Sequence, residues 1–360
     1  MPDERVTTYA EAIREALIES GKHDPRVLFF GEGIGDPSAV FGTTKGLREA
    51  HGDARLIEMP VAENALTGIA VGAALAGKRP VISFHRVEFA LLALDQILNN
   101  AGKAHYLSGG KHKVPLVIRM IVGRGWGQGP EHSQSLEALF AMIPGIKVVM
   151  PAFPADAKGL LTAAIEDDNP VMVIEHRWCH YARGHVPEGY YRQPLDGPRV
   201  VVPGRHVTIV ANSYMTLVAL HAVKALASVG IEAELIDTRL LRPLMVDAIV
   251  KSVAKTGRLL TVDTGWRTLG MGAEIVAEVV SQAFSSLTAA PIRMGMPDHP
   301  TPSSRGMVPG VYPDAIGIFT AAARLAGASA ETIAPALREL EDQARRQPVD
   351  TPDPAFKGPF

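Results

Sequence analysis

The chain has 360 residues, of which 47% are hydrophobic, a formal net charge of −2 and one cysteine, Cys179. Its length predicts two domains at about 150 residues each. Its near-neutral charge argues against nucleic acid as a partner. A single cysteine excludes an internal disulfide or a multi-cysteine metal site. Because no apolar run approaches the ~18 residues of a membrane helix, and because residues 1–5 are charged where a signal peptide is apolar, we expect a soluble cytoplasmic protein with no membrane association.

The first half of the chain alternates short apolar runs with longer segments of helical periodicity. Strands are predicted at residues 27–30, 81–84, 114–118, 146–150 and 171–174. Helices are predicted at about 63–76, 88–106, 133–143 and 155–167. This alternation is typical of parallel βαβ units with helices on both faces of the sheet.

Residues 176–205 interrupt the alternation with four prolines and three tyrosines and predict a linker. Beyond it the alternation resumes. Strands are predicted at 207–211, 233–236, 259–262 and 291–294, and helices at about 272–286 and 330–345. This pattern predicts a second, smaller α/β domain, followed by a proline-rich tail from residue 347 that we expect to be extended.

The most distinctive motif is residues 123–136, in which four glycines alternate with large side chains and lead to His132. We interpret it as a backbone shaped to place His132 at a helix start that Ser133 or Ser135 would cap. Histidine exchanges protons near neutral pH, although a structural histidine is the alternative. The run lacks the Lys-Ser/Thr ending of a phosphate loop and is not a dinucleotide fingerprint. Trp126 within it is either a lid or a subunit contact.

Other polar segments also follow predicted strands, where open α/β sheets bind ligands. Glu63 lies at a strand-to-helix junction, as either a site residue or a carboxylate favoured by the helix dipole. Residues 85–89 form either a ligand wall or a salt-bridged turn. Residues 167–170 are most simply a polar turn, with a bound cation as the alternative. Residues 263–267 either bind an anion or form a packed inter-domain or inter-subunit contact.

Taken in this order, the motifs resemble the β subunit of the thiamine-diphosphate-dependent E1 component of 2-oxo acid dehydrogenase complexes. The resemblance runs from about residue 6 to about residue 325. Its anchors are FGTTKGL at 41–47, PVAE at 60–63, LDQI at 94–97, HSQSLEALF at 132–140, DAKGLL at 156–161 and TGRL at 256–259.

The resemblance implies an α/β fold with two thiamine-enzyme domains. A three-layer, parallel-sheet pyrimidine-binding domain would span 1–185, a linker 186–205 and a transketolase C-terminal-like domain 206–330. A helix and a proline-rich tail would fill 331–360. In this family an α subunit holds the diphosphate and Mg²⁺ through a Gly-Asp-Gly…Asn signature, which is absent here. We therefore expect half of an active site in an α₂β₂ heterotetramer that serves a lipoyl-bearing E2 partner.

The resemblance also implies roles for individual residues. Glu63 matches the glutamate that hydrogen-bonds the aminopyrimidine of thiamine diphosphate, Phe89 the aromatic that packs on that ring, and His132 the histidine that assists substrate handling and acylation of the lipoyl group. A structural potassium site of the family corresponds to Leu116, Ala164, Asp167 and Asn169.

Departures from the family pattern concern the substrate. Basic and aromatic side chains replace the common residues in two segments near the expected cofactor mouth. The residues concerned are His85, Arg86, Arg124 and Trp126. We hypothesise that they contact a polar or anionic 2-oxo acid.

The predicted activity is therefore oxidative decarboxylation of a 2-oxo acid with acyl transfer to lipoamide. One alternative is a split transketolase-like enzyme that transfers a two-carbon ketol unit, and these unusual basic residues keep it open. A second alternative is a non-catalytic subunit that retains the fold, against which Glu63, Phe89 and His132 argue.

Overall fold

A computed structural model describes residues 5–36, 39–124, 128–347, 350 and 351. The chain forms two compact units. The first comprises the described residues of Met1–Arg124 and Glu131–Leu195, and the second those of Gly125–Pro130 and Asp196–Pro354. The exact domain boundaries given above stay predictions.

The first unit is built on six parallel strands in the order β6-β7-β5-β4-β2-β3, with a separate antiparallel pair, β1 and β8. The strands are β1 (Val6–Thr8), β2 (Val27–Gly31), β3 (Leu56–Glu58), β4 (Arg79–Phe84), β5 (Val117–Val122), β6 (Lys147–Val149), β7 (Val171–His176) and β8 (Arg183–His185). Every residue of β5 and β7 is buried. Strands covered on both faces are mostly apolar, which is why their sequences do not alternate.

Seven α-helices of the first unit lie between these strands. They are α1 (Tyr9–His23), α2 (Leu47–His51), α3 (Glu63–Leu75), α4 (Val87–Ala90), α5 (Gly102–Leu107), α6 (Glu137–Ala141) and α7 (Pro154–Glu166). Short 3₁₀ segments lie at Ala39–Gly42, Asp53–Arg55, Leu91–Ala93 and Arg177–Tyr181, and a π-helical segment at Gln96–Ala101. A capping box of Thr8 and Glu11 starts α1, and α1 packs along α7.

The helix predicted at 88–106 is confirmed as a continuous helical stretch over 87–107, in which a 3₁₀ turn and a π-helical segment lie between α4 and α5. Two predictions for this unit were wrong in detail. The strand predicted at 114–118 starts only at Val117, because Pro115 has no N–H to donate to a ladder. The helix predicted at 133–143 is confined to α6, so His132 lies five residues before a helix and not at its start. Neither Ser133 nor Ser135 caps α6.

The second unit contains a five-stranded sheet in the order β14-β13-β10-β11-β9, in which only β9 runs antiparallel to its neighbour. The strands of this sheet are β9 (Arg199–Val202), β10 (Val207–Ala211), β11 (Ala233–Asp237), β13 (Leu259–Trp266) and β14 (Ile292–Met296), and a further strand of the unit, β12 (Leu240–Arg242), is not part of this sheet. The strand predicted at 259–262 thus continues to Trp266. Two strands of this unit, β9 and β12, were not predicted from the sequence.

Helices cover both faces of the second sheet. They are α8 (Ser213–Ser228), α9 (Asp247–Thr256), α10 (Met271–Ala283), α11 (Ala315–Leu325) and α12 (Ala330–Arg346), with 3₁₀ turns at Phe284–Ser286 and Arg305–Met307. One apolar core joins α8, α11 and α12 to the sheet, and another joins α9 and α10 to its opposite face. The α/β fold predicted from the sequence is confirmed. Across the described ranges, no helix combines the length and apolar character needed to cross a membrane.

Candidate active site

The carboxyl ends of the parallel strands of the first unit meet at one edge of its sheet. Polar residues follow β2, β3, β4, β5 and β7 at this edge. Glu63 follows β3, Phe89 follows β4, and His132 follows β5 along the chain. Because ligands of open α/β sheets bind beyond these strand ends, the fold makes this edge the candidate site.

Glu63 is the first residue of α3 and its side chain is buried, with 5% of its surface exposed. The preceding Ala62 supplies no side-chain cap, so the carboxylate is the acidic group of the first helical turn. A carboxylate there is favoured by the helix dipole. The dipole accounts for the position of Glu63 but does not require it to be buried, and burial of a carboxylate is costly.

Two further carboxylates, which we did not predict, lie close to Glu63. Glu32 follows β2 and Glu58 ends β3. The Gly33 N–H donates to Oε1 of Glu58 at 2.5 Å. Burial, and then the charges of Glu63 and Glu58, raise the pKa of Glu32. This end of the edge is therefore negative and favours a ligand that brings positive charge or hydrogen-bond donors. The only sequence signal for Glu32 was its place directly after a strand.

Phe89 and His132 contact each other across the candidate site. Their rings meet edge-on at a centroid distance of 5.5 Å and an interplanar angle of 87°. Both side chains are partly buried. They lie 43 positions apart in the sequence, and the fold brings them together as an aromatic face beside a proton-exchanging group.

The base of the glycine-rich segment is bonded to the start of α4. Arg86 Nη1 donates to the Gly123 carbonyl at 3.0 Å, and Gln134 N–H donates to Glu88 Oε1 at 2.7 Å. Burial, and then the charge of Arg177, lower the pKa of Arg86 to about 10, and burial raises the pKa of Glu88. The Arg86 guanidinium, which we hypothesised to contact substrate, is thus 2% exposed and bonded to the backbone of this segment.

Basic groups gather at the ends of β5 and β7. Arg124 lies over the Trp178 ring at 4.3 Å, and Arg177 lies over the Phe41 ring at 4.3 Å. Burial, and then the charges of Arg124 and other cationic neighbours, lower the pKa of His176 well below its usual range. This end of the edge is therefore positive, opposite in sign to the end that carries Glu63.

His85, also hypothesised to contact substrate, lies partly buried at the end of β4. Its ring meets Phe41 edge-on at 6.2 Å. Burial, and then the nearby Arg86, lower its pKa. Trp126 lies outside the described residues. The substrate roles of all four hypothesised residues stay predictions.

A fully buried ion pair supports this edge from within the sheet. Arg119 on β5 donates to both carboxylate oxygens of Glu175 on β7, at 2.7 and 3.1 Å. Glu175 also contacts Nε2 of His180 at 3.1 Å, and burial is the main cause that lowers the pKa of His180 to about 4. Neither member of the pair was predicted, because nothing in the sequence around them marks the contact.

The four residues of the expected potassium site lie around the turn between α7 and β7. The Leu116 and Ala164 carbonyls accept the N–H groups of Val171 and Asp167, at 2.9 and 3.3 Å. Arg79 donates to the Asp167 carbonyl at 3.0 Å, and Lys147 forms an ion pair with the Asp167 carboxylate. Asn169 donates its backbone N–H to Asp167 at 2.9 Å. Protein cations already contact this turn, and the potassium site stays a prediction.

In the segment 263–267 of the second unit, the first residue, Asp263, has a structural role. Asp263 Oδ2 accepts the N–H of Gly272 at 2.7 Å, in the first turn of α10. The carboxylate thus satisfies a helix N-terminus. Trp266 donates its indole N–H to the His299 carbonyl at 2.9 Å. These contacts lie within the second unit, so the anion site and the packed inter-domain or inter-subunit contact both stay predictions.

Two family models match the chain. The pyrimidine-binding domain of transketolase matches residues 5–179, and the C-terminal domain of transketolase matches residues 198–313.

Solved structures show the same architecture. A split-gene transketolase, described as an inactive β4 tetramer, has a TM-score of 0.66 and 25% identity and covers 92% of this chain and 97% of its own. Transketolase from Leishmania mexicana has a TM-score of 0.60 and 16% identity, covering 94% of this chain and 46% of its own, and shows the fold alone.

Curated relatives are more similar in sequence. The β-4 subunit of the pyruvate dehydrogenase E1 component from Oryza sativa subsp. japonica is 42% identical over 292 residues, 81% of this chain and 73% of the relative. The β subunit of acetoin:2,6-dichlorophenolindophenol oxidoreductase from Cupriavidus necator is 42% identical over 322 residues, 86% of this chain and 95% of the relative. The pyruvate dehydrogenase E1 β subunit of Porphyra purpurea is 41% identical over 292 residues, 81% and 88% respectively. By these matches the chain belongs to the E1 β-subunit family of the 2-oxo acid dehydrogenases.

Proposed function

We propose that the chain is the β subunit of a 2-oxo acid dehydrogenase-type E1, which decarboxylates a 2-oxo acid and transfers the acyl unit to lipoamide. The observation that carries the proposal is Glu63, a buried carboxylate at the carboxyl edge of the sheet in a chain about 42% identical to E1 β subunits. Thiamine diphosphate, when bound, supplies the nucleophilic carbon and takes up the electrons of the broken bond.

The residues present fit the aminopyrimidine half of that cofactor. Glu63 would hold the ring nitrogen opposite the amino group through its carboxylate, and Phe89 would pack against the ring. The carboxylates of Glu32 and Glu58 near Glu63 would favour a proton on the ring nitrogen that Glu63 would hold. His132, held edge-on to Phe89, would exchange protons with the substrate or the lipoyl group.

The diphosphate half requires a partner. In the described part of the chain no group of three His, Cys, Asp or Glu residues could hold a metal ion, and the Gly-Asp-Gly…Asn signature is absent from the sequence. An α subunit would therefore bind the diphosphate and Mg²⁺, in an α₂β₂ assembly, and potassium would at most be structural. The cytoplasmic location stays a prediction, since the rice relative is named as chloroplastic.

Exposed apolar side chains before and along α3 are compatible with this partnership. Val61, two residues before Glu63, is 80% exposed, and Ile69 and Leu75 on α3 are about half exposed. A protein partner that covered them would remove apolar surface from water. The helix that starts at Glu63 thus offers a surface through which an α subunit would complete the active site.

Substrate choice would depend on the positive end of the edge. Arg124 and His85 lie at strand ends without being as deeply buried as Arg86, so they are better placed to contact a polar or anionic 2-oxo acid. Arg124→Ala should then lower kcat/KM for an anionic 2-oxo acid more than for pyruvate, and equal losses for both would contradict this assignment.

Ketol transfer is the second candidate, favoured by the similarity to a split-gene transketolase. The test is the chain reconstituted with an α subunit, thiamine diphosphate and Mg²⁺, assayed with 2-oxo acids and with ketose phosphates. We expect decarboxylation of a 2-oxo acid only when both subunits are present. Activity with ketose phosphates alone would favour transketolase chemistry, and failure to bind thiamine diphosphate with the α subunit would favour a non-catalytic subunit.

A further inference from the structure

Three hydrogen bonds close a ring at the base of the glycine-rich segment. Arg86, the N-cap residue of α4, donates to the Gly123 carbonyl at 3.0 Å. Glu88, in the first turn of α4, accepts the Gln134 N–H at 2.7 Å. Gly123 N–H donates to the Gln134 carbonyl at 3.2 Å. The two ends of segment 123–134 are thus bonded to each other and to one short helix.

Buried residues support this ring of hydrogen bonds. Val87, between the two clamping residues, is fully buried. Gly123 has φ +89°, and a Cβ there would lie 2.2 Å from Nε2 of the buried His176, so the backbone of Gly123 rests directly on that ring. Both side-chain bonds join an ionisable group to the backbone, a type that is stronger than a neutral hydrogen bond when the side chain is charged.

His132 lies two residues before Gln134 and contacts Phe89, the residue after Glu88. One turn of α4 therefore holds the backbone of the segment through Glu88 and the ring of His132 through Phe89. We propose that Arg86 and Glu88 form a clamp on Gly123 and Gln134, the two ends of the segment, so that His132 is correctly placed, and that both are positioning residues. The consequence for catalysis rests on the proposed function, whereas the clamp is a property of this chain alone.

This inference gives the unusual sequence at 85–89 a different role from the one first hypothesised. The Arg86 guanidinium donates to the Gly123 carbonyl, so its charge stabilises the backbone geometry at Gly123. Glu88 Oε1 is committed to Gln134, while its Oε2 is buried and has no hydrogen-bond partner among the described residues. Burial of a carboxylate with only one hydrogen-bonded oxygen costs free energy. Such a cost is expected where the carboxylate has a positioning role.

The clamp is tested by amide hydrogen exchange in the full chain, for Glu88→Ala, Glu88→Gln and the exposed control Glu49→Ala. Loss of a hydrogen bond to an ionisable group should speed exchange of the Gln134 amide by about tenfold or more in Glu88→Ala. Glu88→Gln keeps an acceptor oxygen and should stay within about threefold of the parent. Arg86→Lys has one donor point in place of a planar fork and should weaken the bond to the Gly123 carbonyl. If that bond holds Gly123 in place, exchange of the Gly123 amide, which donates to the Gln134 carbonyl, should then be faster.

The same variants, reconstituted with an α subunit, test the positioning role. Glu88→Ala should lower kcat about tenfold or more while leaving the apparent affinity for thiamine diphosphate unchanged, and Glu88→Gln should restore kcat. Unchanged Gln134 exchange in Glu88→Ala would overturn the clamp whatever the activity. Faster exchange with unchanged kcat would overturn the positioning role. If the parent enzyme decarboxylates no 2-oxo acid, the proposed function fails while the exchange data still decide the clamp.

Discussion

Removal of the Arg119 guanidinium should strongly destabilise the first unit. The side chain is 1% exposed, and Glu175 is fully buried. Arg119 makes two bonds to Glu175 and one each to the hydroxyls of Ser83 and Thr43, at 3.0 and 2.9 Å. Arg119→Leu leaves Glu175 with its contact to Nε2 of His180, and His180 is uncharged near pH 7 because burial lowers its pKa to about 4. Breaking such a pair costs about 3–5 kcal/mol, a large fraction of the 5–15 kcal/mol by which proteins of this kind are stable.

The assay is urea unfolding followed by hydrogen exchange of peptides from β5 and β7, because a chain of two units need not unfold in one transition. The control is Arg26→Leu, which removes a surface ion pair with Asp24 and should cost no more than about 1 kcal/mol. The double variant Arg119→Leu, Glu175→Leu should recover at least 1–2 kcal/mol, since it removes the uncompensated charge. A loss below about 1 kcal/mol for Arg119→Leu, or no recovery in the double variant, would refute the reasoning.

Three further predictions concern other parts of the molecule. Burial lowers the pKa of His51 and of His180 to about 4. In the unfolded state each histidine has a pKa of about 6.5, so the unfolded state binds more protons than the folded state between pH 6.5 and 4. The full contribution of these groups to the free energy of unfolding should therefore be present above pH 6.5. At pH 5 the free energy of unfolding, measured by urea midpoints, should be lower by roughly 2 kcal/mol from His180 alone. Asp263→Ala should cost about 1–2 kcal/mol and speed exchange in the first turn of α10, and no change there would contradict the capping role. Phe89→Leu should raise the KM for thiamine diphosphate about tenfold, and an unchanged KM would remove Phe89 from the site.

Residues whose role follows from local sequence could be predicted. Continuous apolar runs identified the buried parallel strands, since a strand covered on both faces is mostly apolar. The parallel order then placed Glu63 at the carboxyl edge, because every strand-to-helix junction of such a sheet lies there. The glycine-rich run singled out His132 and motif resemblance added Phe89, and the contact between these two residues is a feature of the fold.

Contacts between distant segments could not be predicted. Arg119 and Glu175 lie 56 positions apart and resemble any charged residues of a strand. The helix predicted at 88–106 contains a 3₁₀ turn and a π-helical segment, which its apolar periodicity does not show. His132 does not start a helix because the backbone of Gln134 bonds to Gly123 and Glu88 in place of a helical turn. At His132 tertiary contacts thus outweigh local propensity.

The most direct test of the central claim is the exchange of the thiazolium C2 proton of thiamine diphosphate in the reconstituted αβ enzyme, measured for the parent, Glu63→Gln and the exposed control Glu49→Gln. If Glu63 acts on the aminopyrimidine, Glu63→Gln should slow this exchange by about 100-fold or more, with cofactor affinity within about tenfold of the parent and the control unchanged. Exchange at the parent rate in Glu63→Gln, with the cofactor bound, would contradict the assignment of this edge as the cofactor site.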